Sequence, residues 1–142
     1  MSTSGLENIE RAVQTANVWL AELDGIIGWQ DRARSWRLLR ATLHALRDWL
    51  QVNEASQLGA QLPTLLRGVY YEGWRPAATP VKPRKYADFR TRIEAAFHTD
   101  PLDDVADSIS RVFLLLSRHV SEGEIDEVRK ALPADIRTLW PE

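Results

Sequence analysis

Sliding the chain along itself by 70 positions brings Leu62-Pro63 onto Leu132-Pro133, Arg67 onto Arg137, Leu46 onto Leu116 and Glu54 onto Glu124 without a gap. Apolar positions follow at the same offset: Trp19 meets Phe89, Leu23 meets Ile93, Ile27 meets Phe97, Leu43 meets Phe113, Leu66 meets Ile136 and Tyr70 meets Trp140. A match concentrated at core-type positions is what two copies of one unit keep after their surfaces diverge. The offset predicts a single domain over residues 1–142, with repeat one at 1–72, a linker at 73–85 and repeat two at 86–142.

Within each copy the spacing is helical. Ile9, Val13, Ala16, Leu20, Leu23 and Ile27 step by three and four, which gathers them on one stripe. Ser4 and Glu7 have capping-box spacing at its start, and Gly25 and Gly28 weaken its end. Asp31 is placed to cap a second helix that carries Trp36, Leu39, Leu43, Leu46 and Leu50 to about residue 52. Asn53 is placed to cap a short third helix with Leu58, and Pro63 suits the first turn of a fourth through Leu66 and Tyr70. The second copy repeats the pattern with a helix near residues 86–97, an Asp100-Pro101 start, a Ser121/Glu124 capping box and a restart at Pro133. Between the copies, Pro76, Pro80 and Pro83 break helix and central strand alike and favour an extended, semi-rigid strap. No strand alternation or hairpin signal occurs. The expected fold is an all-α helical bundle made of two tandem repeats of a roughly four-helix unit joined by a Pro-rich linker.

Several of these residues form a recognisable set: the paired Leu-Pro steps, the run Gly59-Ala60-Gln61-Leu62-Pro63, and Tyr70-Tyr71-Glu72-Gly73-Trp74 entering the linker. In residues 40–76 and 116–140, and more loosely from about residue 16 onward, the chain resembles the bacterial family called domain of unknown function 2267. The resemblance implies an all-helical bundle. It brings no reaction, ligand or catalytic residue with it. One departure is that the family places an arginine and then a proline near the end of the second helix, where this chain has Trp49 and Gln51.

The residue inventory excludes much chemistry. With no cysteine there is no disulfide, thiolate nucleophile or Cys-based metal site, and a reducing cytoplasm is the expected location. The N-terminal residues lack a secretory pattern, and no run approaches the roughly 18 apolar residues of a membrane span. His44, His98 and His119 are not spaced as helical metal ligands, and Asp100, Asp103, Asp104 and Asp107 lack the glycine and terminal glutamate of a calcium loop. Acidic residues in a first helical turn are favoured by the macrodipole, which accounts for that cluster. No serine elbow, phosphate loop or dinucleotide fingerprint is present, so neither metal, cofactor nor enzyme activity is expected.

Charge and aromatics carry the remaining signal. Net charge is −2, but residues 63–92 hold seven Lys or Arg against two acids, and residues 93–142 hold five against eleven. Arg37, Arg40, His44 and Arg47 fall on one helical stripe beside the core positions. With Tyr71 and Trp74 they form the expected binding surface, for a protein partner or self-association. The alternative is an anionic ligand or nucleic acid held by the basic second helix and the linker cations, although a pI near 5.9 is far from a nucleic-acid footprint. Of six tryptophans, Trp19 and Trp36 are expected in the core, and some of Trp29, Trp49, Trp74 and Trp140 at the surface. Glu54 with Arg67, and Glu124 with Arg137, are expected to close each helix pair through a salt bridge.

Overall fold

The computed structural model describes residues 4–82 and 84–142, without the side chain of Ser4, so the Ser4 cap and Pro83 lie outside the described residues. Among the described residues there are eight α-helices and no strand, as an all-α bundle requires. They are α1 (Ser4–Ile27), α2 (Arg32–Trp49), α3 (Val52–Ala60), α4 (Thr64–Tyr71), α5 (Tyr86–Ala95), α6 (Val105–His119), α7 (Glu122–Ala131) and α8 (Ala134–Arg137). None of them is long and apolar enough to cross a membrane.

Local chemistry sets the boundaries. Gly28 takes φ +79°, a conformation that costs glycine little, and turns the chain out of α1. Asp31 then caps α2, its carboxylate accepting from the Arg34 N–H at 3.1 Å. Four expected starts move. α3 begins at Val52 with Gln51 as cap, so Asn53 lies inside the helix, because the chain leaves extended Leu50 and turns at once. α6 begins at Val105 behind Asp104, whose carboxylate accepts from the Asp107 N–H at 3.0 Å, and Asp100-Pro101 stays in the preceding loop. Pro63 and Pro133 occupy the cap positions of α4 and α8 rather than their first turns. At α7 the capping box is half formed: Ser121 Oγ accepts from the Glu124 N–H at 3.3 Å, while the Ser121 N–H donates to Gln61 Oε1.

α2 is the central element, packed against α1, α4, α5 and α6, and α3 lies against α7. Leu38, Leu39, Leu43, Leu46 and Leu50 of this segment are at most 1% exposed and share one core with Leu23, Leu58, Leu66, Tyr70, Phe89, Ile93, Phe113 and Ile136. The tryptophans serve that core. Trp49 and Trp140 are buried, and Trp29, Trp36 and Trp74 are half-buried and packed against it, so Trp29 and Trp74 keep the partial exposure expected of some of them while Trp36 is less buried than expected. The Trp49 indole donates to Arg84 O at 3.1 Å, which ties the linker to the end of α2.

α1 outruns its support. At 1.5 Å per residue its 24 residues span about 36 Å, against about 22 Å for the 15 residues of α6 beside it. Residues 5–11 are all exposed, and burial begins at Ala16.

Candidate interaction surface

The arginine stripe of α2 divides between surface and structure. Arg37 is exposed, with its guanidinium 5.3 Å from the Phe97 ring centroid. Arg40 is exposed and pairs with Glu72 at 3.1 Å. His44 is half-buried, and its Nε2 donates to the Val69 carbonyl at 2.7 Å. Burial pushes the His44 pKa below its usual value, against the pull of that carbonyl, so the neutral ring is favoured.

Arg47 is a correction. Only 4% exposed, it donates from Nη1 to Tyr70 O and Glu72 O at 2.9 and 2.6 Å and grips the Asp48 carboxylate through Nε and Nη2. The carbonyls at the end of α4 have no partners within their helix, and the guanidinium supplies donors where water cannot reach. Arg92 Nη1 completes the cluster on Asp48 at 2.7 Å. Replacing Arg47 therefore cannot leave the fold untouched, as a surface role would allow. Tyr71 and Trp74 are half-buried and packed against the core. Their rings stack on each other at 5.2 Å, and the Tyr71 hydroxyl lies so close to Gly59 that a Cβ there would overlap it. That close approach accounts for the glycine.

Neither expected salt bridge forms. Arg67 donates instead to Gly59 O and Leu62 O, at 2.9 and 2.8 Å, and Arg137 donates to Arg129 O and Leu132 O, both at 2.8 Å. A guanidinium caps the carbonyl end of α3 and of α7 in the same manner, at positions 70 apart. The capping role was open to sequence reasoning, since cations favour helix C-termini. Glu54 and Glu124 each keep one buried carboxylate oxygen with no hydrogen-bond partner among the described residues. Burial, then the charges of Glu127 and Glu54, push the Glu124 pKa up.

Several other titratable groups are committed to structure. Asp100 pairs with Arg34, and Asp107 with Arg111 at 3.4 Å. His119 stacks on Trp19 at 4.3 Å and reaches Glu22 at 2.8 Å, and His98 hydrogen-bonds Ala95 O. The counterpart of His119 at the 70-residue offset, Trp49, is fully buried, whereas the His119 side chain is 27% exposed. A hollow of about 360 Å³ beside Phe97 and Leu102 has mostly apolar walls, with Glu94 and His98 at its rim.

What sequence reasoning missed is an aliphatic ridge on the overhang of α1. Leu6, Ile9 and Val13 are 50%, 62% and 45% exposed. At about 100° per residue the three lie within about 60° of arc, and Ile9 and Val13 share their stripe with Ala16, Leu20 and Ile27 of the inner half. Val18, 60% exposed, lies on the opposite side and stands alone.

A family model described as an uncharacterized conserved protein (DUF2267) matches residues 16–139. The chain belongs to this family. A comparison with curated proteins gives no match. The DUF2267 match starts at Ala16, where α1 enters the bundle, and the ridge precedes it.

Proposed function

We propose that this DUF2267 protein is a non-enzymatic, cytoplasmic interaction module that associates with a second copy of itself. The observation that carries this function is the ridge of Leu6, Ile9 and Val13. A two-turn extension of helix without tertiary support is marginal in water. Here the extension keeps the apolar phase of the buried half, so it offers for burial a face that its own bundle does not cover. Anchors at i, i+3 and i+7 are those of a helix that docks in a groove.

The hydroxyl contacts among the described residues fit this function. The serine hydroxyls near histidines or acids are engaged structurally: Ser35 on Asp24, Ser108 on Asp104 O, and Ser117 with the Trp140 indole. The matched caps of Arg67 and Arg137 support an origin from two tandem copies, 1–72 and 86–142, joined through 73–85. An anionic ligand or nucleic acid is the weaker alternative, because Arg47 is buried and Arg84 donates inward to Trp49 O and Ala131 O at 2.8 Å each. Light scattering of the intact chain over a concentration series tests the proposal. Mass rising toward a dimer, abolished by Ile9→Asp, supports it; a monomer at every concentration rejects it.

A further inference from the structure

We infer that, resting on the self-association proposed above, the ridge of one copy seats in the groove between α2 and α5 of the second copy. That groove is a hollow of about 190 Å³ lined by Arg40, Ala41, His44, Ala45, Arg92 and Ala96. Its floor is alanine on both helices. Small side chains there let an incoming helix approach closely, as ridges-into-grooves packing requires.

The charges are complementary. Arg40 and Arg92 wall the groove from opposite helices, with side chains 52% and 46% exposed. Arg37 stands one turn before Arg40 and, among the described residues, makes a ring contact but no ion pair. On the ridge side, Glu10 lies about 65° from the centre of the apolar face, close enough to flank it, while Arg11 points to the opposite side of the helix. The flank that enters the groove is thus acidic, and the wall that receives it presents Arg40 and Arg92, each also paired within its own chain, to Glu72 and Asp48, with Arg37 one turn away.

Area argues for reciprocity. A three-anchor ridge covers far less than the roughly 800 Å² per partner buried in stable pairs. If each copy gives a ridge and accepts one, the contact doubles and closes with twofold symmetry, which excludes open-ended chains.

The test uses intact chain and two oppositely charged variants. Glu10→Arg leaves a basic ridge facing a basic groove, and Arg37→Glu with Arg40→Glu leaves an acidic ridge facing an acidic groove. Both changes lie at exposed positions, and a thermal melt of each checks the fold; glutamine replaces glutamate at 37 and 40 if the double variant melts early. Each variant alone should self-associate about tenfold more weakly or worse. An equimolar mixture restores both complementary contacts and should recover the dimer. If Ile9→Asp abolishes association while Arg37→Glu/Arg40→Glu changes nothing, the ridge acts elsewhere and this groove is not its receiver. If the unmodified chain stays monomeric, both this inference and the proposed self-association fall.

Discussion

Residues 16–27 and 5–15 of α1 belong to one helix and one three-four stripe, yet Leu23 is fully buried whereas Ile9 is 62% exposed. The buried half meets α2 and α6, and α1 also packs against α4, with Trp19 stacked on His119, Glu22 bonded to His119 and Arg118, and Ile26 O accepting from Arg111 at 3.0 Å. The outer half has outrun α2 and α6. Periodicity therefore reports which face a helix offers, and helix length relative to its neighbours decides whether the same chain covers it.

The same contrast runs along α2, and there it should produce the largest effect. Arg47→Ala leaves the Tyr70 and Glu72 carbonyls without their buried donor and Asp48 with Arg92 alone, and should cost about 3 kcal/mol or more, while Arg40→Ala, an exposed pair, should cost about 0–1 kcal/mol. Urea titrations of both variants measure the difference, and equal midpoints would erase the distinction between inward and outward arginines. Within α1, Leu23→Ala should lose about 2–5 kcal/mol through the cavity it leaves.

A smaller effect is expected from Glu22. Burial raises its pKa, but hydrogen bonds from His119 and Arg118 outweigh this and leave it below its ordinary value of 4.5. The folded state thus favours the carboxylate. Its contribution is complete above pH 4.5 and is lost as pH falls through the lowered folded value. Glu22→Gln should melt with a flatter acid limb, the loss near neutrality staying within about 1 kcal/mol. Parallel acid limbs would show that the pairing contributes nothing. The smallest effect belongs to the outer half: Ile9→Asp should shift the stability of dilute, dissociated chain by no more than about 0.5 kcal/mol.

The helices were legible because their stripes are long and capped. Asp31 caps as its position demands, and the three-four steps of α1, α2 and α6 survive intact. Starts such as Asn53 and Asp100-Pro101 were misplaced because several side chains near each turn can cap, and tertiary contacts choose among them. Asp100 is taken by Arg34, and Asp104 caps instead. The site was less legible. Arg47 follows Arg40 by two turns and shares its stripe, but the Tyr70 and Glu72 carbonyls at the end of α4 land on Arg47, a meeting across 23 residues in the case of Tyr70 that no local pattern encodes. The ridge was visible as Ile9 and Val13, but its exposure depends on where α6 stops.

Hydrogen exchange of the intact chain at rising concentration tests the central claim most directly, because residues 5–11, at the start of the outer half of α1, are all exposed in a single copy. Self-association through the ridge predicts that the amides of residues 5–15 become protected in step with the growth of the dimer, while those of core α2 hold constant. Exchange in residues 5–15 that stays equally fast when the dimer is fully formed would contradict it.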